Sequence, residues 1–134
     1  MYKIIGFTNG ADYLEIFSAH SDAEYLNELN LEIRIKSYGF SVSQKFLCPK
    51  ETFRIFYKEI NDLLETSSGA ASFSLTDTGG IDLALKISNG EYFVPIEGII
   101  SSNCVADETH YHKFVFGFEV PVKQFKSSLL LKLN

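Results

Sequence analysis

Alternation of hydrophobic and polar residues with a period of two runs through most of the chain. From Leu29 to Lys36 every second residue is Leu or Ile, and Asn, Glu, Arg and Lys occupy the positions between them. The same alternation recurs from Ile81 to Ser88 and from Lys113 to Glu119. Because successive side chains of a strand point to opposite faces, this pattern predicts strands with one buried face and one wet face. That arrangement is typical of an antiparallel sheet.

Turn-forming residues separate the predicted strands. Asn9-Gly10 and Asn89-Gly90 favour the positive φ angles of tight hairpin turns, and Tyr38-Gly39 separates two further strands. Pro95 lies inside the seventh strand and predicts an edge strand or a bulge there, because proline cannot donate a hydrogen bond to a ladder. The eight predicted strands lie near residues 2–7, 12–18, 29–36, 40–47, 71–76, 81–88, 92–101 and 111–119.

Two segments have helical rather than strand spacing. From Pro49 to Thr66 the apolar residues recur three and four positions apart, which predicts an amphipathic helix. A shorter helix is predicted from Pro121 through Phe125, Leu129 and Leu130 to the end of the chain. The sequence therefore predicts an α+β fold. It has about eight antiparallel strands in a curved sheet or sandwich, one amphipathic helix between strands four and five, and a C-terminal helix.

The size and charge of the chain narrow the classes of function. Its 134 residues match one domain, spanning residues 1–134. The formal net charge of −5 disfavours nucleic-acid binding, and an acidic protein accommodates a basic protein partner more easily. The chain has two cysteines, no leader-like segment at its start and no apolar run long enough for a membrane span. These features predict a cytoplasmic protein.

Two features could support hydrolytic chemistry. Asp77-Thr78-Gly79 is the triplet that carries the catalytic carboxylate in aspartic proteases, but the chain has a single copy of it. A hairpin loop needs the same residue types, so we interpret Asp77 as a turn residue. Cys48 comes just before the predicted helix, where the helix dipole would lower the pKa of a thiol. A small residue packed beneath the helix explains that position equally well, and no catalytic residue is predicted.

A pair of histidines could belong to a metal site. His110 and His112 are two residues apart on a predicted strand and so project from one face, with Asp107 and Glu108 nearby. A metal site needs three or four ligands, and the others are not evident in the sequence. Because the histidines share the parity of Phe114, we interpret them as residues at the rim of the core. No metal or other cofactor is predicted.

The order of elements from residue 30 to the end of the chain resembles a known family. A helical apolar stripe from Phe53 to Leu64 is followed by a small-residue turn and strand, Gly69-Ala70-Ala71-Ser72-Phe73. The later strands are Ile81-Asp82-Leu83-Ala84-Leu85, Val94-Pro95-Ile96-Glu97-Gly98 and Lys113-Phe114-Val115-Phe116-Gly117-Phe118-Glu119, before a closing helix. This order resembles the WapI-like immunity proteins, which take their name from the wall-associated-protein toxin of bacterial contact-dependent systems. The resemblance implies a protein that binds and neutralises a cognate toxin and has no catalytic residues.

We therefore predict a non-enzymatic protein whose partner is a basic toxin domain. Exposed carboxylates would steer such a partner, and Glu15 and Glu32 are offset from the apolar positions of their strands, which predicts that they face water. Glu28 and the loop residues Asp107 and Glu108 extend this predicted acidic surface. A small-ligand-binding or structural β-domain is an alternative, and a hydrolase that uses Asp77 or Cys48 is a second one.

Overall fold

Strands account for most of the structure, a computed structural model that describes residues 1–18, 27–76, 80–103 and 111–130. The helices are α1 (Lys50–Thr66) and α2 (Val122–Lys126). The strands are β1 (Tyr2–Thr8), β2 (Tyr13–Ser18), β3 (Glu28–Ser37), β4 (Phe40–Pro49), β5 (Ala70–Thr76), β6 (Ile81–Ser88), β7 (Phe93–Asn103), β8 (Tyr111–Pro121) and β9 (Leu129–Leu130). The α+β prediction is confirmed, since α1 lies between β4 and β5 and a short helix follows β8.

The strands form two antiparallel sheets. Sheet A has the order β4-β3-β2-β1-β9, and sheet B has the order β5-β6-β7-β8. The apolar faces that the alternation predicted belong to one hydrophobic cluster, to which both sheets and both helices contribute. Burial of these side chains, at about 25 cal/mol for each Å² of apolar surface, is the main stabilisation of the fold.

The strands of sheet A cross those of sheet B. Val42, in the first half of β4, lines a cavity together with Ile100 of β7 and Phe114 of β8. Phe46, in the second half of β4, packs against Phe73 of β5 with 6.3 Å between the ring centroids. Four residues of a strand cover about 13 Å, close to the roughly 14 Å that separates the first and last strands of a four-stranded sheet. β4 therefore passes over sheet B from one edge to the other, at a large angle to its strands.

The C-terminal helix is shorter than the sequence predicts. α2 ends at Lys126, and Leu129–Leu130 form β9, which pairs with Ile5 and Gly6 of β1. Ser127 and Ser128 favour this break, because serine hydroxyls compete for helix hydrogen bonds, and both hydroxyls bond to the carbonyl of Gln124. The exposed edge of β1 then offers a short strand backbone partners that a longer helix would not have.

Pro95 and Gly90 differ from their predicted roles. Pro95 lies on β7, which is an interior strand, so the edge-strand prediction is wrong. The ladder between β6 and β7 ends at the pair Ile87–Ile96, so Pro95 lies where β7 pairs with β8 alone. Gly90 does not adopt the predicted positive φ. It is required because an added Cβ would overlap the backbone carbonyl of Phe93.

Candidate functional site

The carboxylates predicted to steer a partner are engaged in ion pairs. Glu15 and Glu32 lie on the outer face of sheet A, as their offset from the apolar positions predicts. Glu15 pairs with Lys3, and Glu32 accepts hydrogen bonds from the Arg34 guanidinium at 2.6 and 2.7 Å. Glu32 is only 8% exposed, so the prediction that it faces water is wrong. The ring of Phe17 helps to shield the pair from water, because it packs against Arg34 with 4.3 Å between the guanidinium carbon and the ring centroid.

The outer face of sheet A has a positive rather than a negative balance. Its charged side chains are four basic and three acidic ones, which are Lys3, Arg34, Lys36, Lys45, Glu15, Glu28 and Glu32. Because the whole chain carries −5 and this face carries +1, the remaining residues carry a formal −6. An attraction between this protein and a basic partner must therefore come from other surfaces. Glu28 is half-buried at the start of β3, and Asp107 and Glu108 lie outside the described residues.

Cys48 is a buried thiol rather than an activated one. Its side chain is fully buried at the end of β4, where Sγ donates to the carbonyl of Pro49 at 3.4 Å. Burial raises the pKa of Cys48 from 9.0 to about 12, a hydrogen bond from the backbone of Phe53 opposes the rise, and the charge of Glu28 adds to it. The predicted lowering of this pKa by the helix dipole is wrong, because desolvation dominates. A thiol that stays protonated near neutral pH is a poor nucleophile.

The histidine and aspartate candidates fall partly outside the described residues. His112 is exposed near the start of β8, beside the half-buried Phe114, whereas His110 and Asp77 lie beyond what the structure describes. Within residues 1–18, 27–76, 80–103 and 111–130, no three His, Cys, Asp or Glu side chains form a group that could hold a metal ion. No helix among these residues is both long and apolar enough to cross a membrane.

The tip of the β3–β4 hairpin presents two aromatic side chains to solvent. β3 ends at Ser37 and β4 begins at Phe40, so Tyr38 and Gly39 form a two-residue turn. Their φ angles are 52° and 86°, the pattern of a type I′ turn. The rings on either side of Gly39 are exposed, Tyr38 to 76% and Phe40 to 72%. We call Tyr38, Gly39 and Phe40 the aromatic tip.

Hydrogen bonds from two other elements fix the base of the aromatic tip. The backbone N–H of Tyr38 donates to Oδ1 of Asp12 at 2.9 Å, and Asp12 is only 7% exposed. Ser37 Oγ donates to the carbonyl of Gly117 in β8 at 2.9 Å and accepts from the N–H of Gly117 at 3.3 Å. The turn is thus tied to the β1–β2 hairpin and to the edge of sheet B. Such bonds lower the conformational entropy that the tip would lose on binding.

The position of the aromatic tip follows from the crossing of the two sheets. Gly117 directs its N–H and C=O to Ser37, so this residue of β8 faces away from β7 and towards the free edge of sheet B. Asn9 Nδ2 occupies the same edge by donating to the carbonyl of Glu119 at 3.0 Å. The hairpin therefore reaches the edge of the opposite sheet, and Tyr38 and Phe40 lie where neither sheet buries them.

Sequence reasoning treated Tyr38-Gly39 only as a separator between two strands. The signal that it overlooked is the residue type. Positive φ at the first turn position favours Asn, Asp or Gly, whereas a bulky aromatic residue there is uncommon. A second aromatic residue directly after the turn, at Phe40, strengthens the signal. The exposure of both rings depends on the crossing of the sheets, which the sequence pattern does not specify.

A shallow cavity of about 280 Å³ lies between β1, β2 and the end of α2. The ion pair of Lys3 and Glu15 forms part of its wall, together with Tyr13, Gln124 and Ser127. This volume is at the lower limit of small-ligand pockets. The cavity therefore fits a drug-sized ligand poorly.

Comparison with protein-family models, with curated proteins and with solved structures gives no match.

Proposed function

We propose that this chain is a non-enzymatic binding protein, specifically an immunity protein that binds and neutralises a bacterial toxin in the cytoplasm. The observation that supports binding is the aromatic tip, in which Tyr38 and Phe40 are exposed on a turn held by Asp12 and Ser37. Tyrosine and other large aromatics are enriched among the residues that dominate binding energy at interfaces. The neutralising role rests on the resemblance to WapI-like immunity proteins.

The proposed partner is a basic toxin domain. The net charge of −5 supports this basic character, and the outer face of sheet A contributes none of the net negative charge. Charge of this kind raises the rate of encounter, and a rigid apolar anchor slows dissociation. We propose that the remaining acidic surface steers the toxin and that the aromatic tip holds it.

Growth protection tests this function. The toxin-like domain encoded beside the gene for this chain is expressed in a bacterial host with and without the chain. The proposal predicts that the domain alone arrests growth, that the chain restores it, and that the two copurify as a stable complex. A gene neighbourhood with no such reading frame, or a toxic domain that the chain neither binds nor neutralises, would contradict the immunity role.

A further inference from the structure

The outer face of sheet B carries small, apolar and oppositely charged side chains. Cross-strand pairing places Ser74, Ala84, Ile99 and Val115 in one line across the four strands, which we call the central row. Pairing places Ser72, Lys86, Glu97 and Gly117 in the next line, which we call the charged row. Both rows are exposed to solvent, except that Ile99 and Gly117 are half-buried.

The central row is unusual for a face in contact with water. Val115 is 65% exposed and lies directly opposite Ile99, which in turn lies opposite Ala84. The outer face of sheet A places charged residues at the corresponding positions, including Arg34 opposite Glu15. Exposed apolar side chains of this kind mark interaction surfaces, and small neighbours allow another sheet to approach closely.

The faces of two copies are complementary to each other along both rows. A two-fold axis parallel to the strands and midway between β6 and β7 lays β6 of one copy over β7 of the other, and β5 over β8. In the central row, Ala84 then faces Ile99 of the second copy, and Ser74 faces Val115, so a small residue meets a large one at each contact. In the charged row, Lys86 faces Glu97 of the second copy, and the symmetry repeats this contact. Ser72 faces Gly117, which leaves room for the approach.

We propose that this face binds a second copy of the chain, in a two-fold dimer with Lys86 of each copy opposite Glu97 of the other. The four strands span roughly 20 Å, and four pairs of residues along each strand span roughly 25 Å. Contact over this face would bury about 1,000 Å² when both copies are counted. This area is at the lower end for specific interfaces, so the dimer is weak and depends on protein concentration. The aromatic tip belongs to sheet A, and its base borders this face where Ser37 bonds to Gly117.

Mixing two charge-reversal variants tests this arrangement. Lys86→Glu alone places Glu opposite Glu97, and Glu97→Lys alone places Lys opposite Lys86, so each variant on its own has two repulsive contacts. In a dimer of one Lys86→Glu copy and one Glu97→Lys copy, both contacts join opposite charges. Sedimentation velocity over the micromolar range should show association of the wild-type chain, association at least roughly tenfold weaker for each variant alone, and near-wild-type association of the equimolar mixture.

The controls separate this interface from general effects of charge. Lys58→Glu and Asp62→Lys reverse exposed charges on α1, and both should associate like the wild-type chain. Ser74→Arg fills the space opposite Val115 and should abolish association without altering the charged row. Lys86 and Glu97 are exposed but are also cross-strand partners within one chain, so each variant alone should unfold at most a few degrees below the wild-type chain.

Three results would overturn the proposal. They are a wild-type chain that stays monomeric throughout the concentration range, a Glu97→Lys chain that associates as the wild-type chain does, and a mixture that remains monomeric. The second result would show that Glu97 is not at the contact between copies. The third would show that Lys86 and Glu97 do not face each other across the two copies.

Discussion

The ring of Tyr38 is carried by a backbone conformation that tyrosine disfavours. At a φ of 52° the Cβ atom is crowded against the backbone, at a cost of about 1 kcal/mol that Gly avoids and Asn reduces. The ring contributes little to the core, since it is 76% exposed. The proposed role as an anchor for a partner would account for this strained residue.

The buried thiol of Cys48 makes stability depend on pH in the alkaline range. Its pKa is about 12 in the folded chain and ordinarily 9.0, so unfolding releases a proton as the pH rises above 9.0. This contribution to stability is fully present below pH 9.0 and is lost progressively as the pH rises from 9.0 to about 12. At pH 10 the loss amounts to about 1.4 kcal/mol.

We expect urea unfolding to show this loss as a difference between two chains. The wild-type chain should lose about 1.4 kcal/mol more stability than Cys48→Ala between pH 8 and pH 10, because the variant has no thiol to ionise. Cys104 is present in both chains and cancels in the comparison. Identical pH profiles would mean that Cys48 is not desolvated.

At the scale of elements, the ion pair of Glu32 and Arg34 lies along β3 on the outer face of sheet A. Glu32→Gln keeps the shape of the side chain and removes the charge of an almost buried acceptor. We expect a cost of about 1–2 kcal/mol in the free energy of unfolding. Glu119→Gln, an exposed position on sheet B, should cost less than about 0.5 kcal/mol, and chemical denaturation measures both. Equal effects at the two positions would contradict a structural role for Glu32.

Sheet B offers a matched pair of glycines. A Cβ at Gly98 would overlap the carbonyl of Ala84 and lie 2.7 Å from the Phe116 ring, whereas one at Gly117 would meet its nearest atom at 3.8 Å. Gly98→Ala should therefore cost about 3 kcal/mol in unfolding free energy, because the core has no space for the methyl group. Gly117→Ala should change stability by less than about 0.5 kcal/mol. Thermal unfolding distinguishes them, and a tolerated Gly98→Ala would mean that β6 and β7 lie farther apart.

The elements were more predictable than the contacts between them. Period-two alternation predicted the strands around Leu31, Leu83 and Phe116 within a few residues, because the buried face of a strand must be apolar. Leu129 and Leu130 continue the helical spacing from Phe125, and only the free edge of β1 explains why they form a strand. Local spacing contains no information about such a distant partner.

The predicted site was less accurate for the same reason. Alternation placed Glu15 and Glu32 on the outer face correctly, but it could not show that Lys3 and Arg34 neutralise them. The Lys3–Glu15 pair depends on the register between β1 and β2, and the Glu32–Arg34 pair joins two residues of β3 whose side chains share one face. The aromatic tip depends on the angle between the sheets, which brings Ser37 to Gly117 across 80 residues of sequence.

At the scale of the whole molecule, the crossing of two sheets separates three surfaces. Sheet A has an outer face with a positive balance, sheet B has an outer face that is small and apolar along the central row, and the aromatic tip lies beyond the edge of β8. A toxin on the tip and a second copy on sheet B would occupy different surfaces. The two proposed surfaces are neighbours, since Ser37 at the base of the tip bonds to Gly117 of the charged row.

The aromatic tip is the centre of this account, and Tyr38→Asn tests it most directly. Asn tolerates the positive φ of the turn, so the variant should unfold at the same free energy as the wild-type chain or up to about 1 kcal/mol higher. Removing an anchoring ring should nevertheless weaken binding to the neighbouring toxin domain by roughly 2 kcal/mol, or about thirtyfold in Kd. Tyr92→Asn is the control, since Tyr92 is 73% exposed at a different place on the surface.

Calorimetric titration of the toxin domain with the wild-type chain and these two variants gives the deciding comparison. We predict a large loss of affinity for Tyr38→Asn, none for Tyr92→Asn, and no loss of stability in either chain. A Tyr38→Asn chain that is fully folded and binds the toxin domain as tightly as the wild-type chain would contradict the assignment of the tip as the anchor.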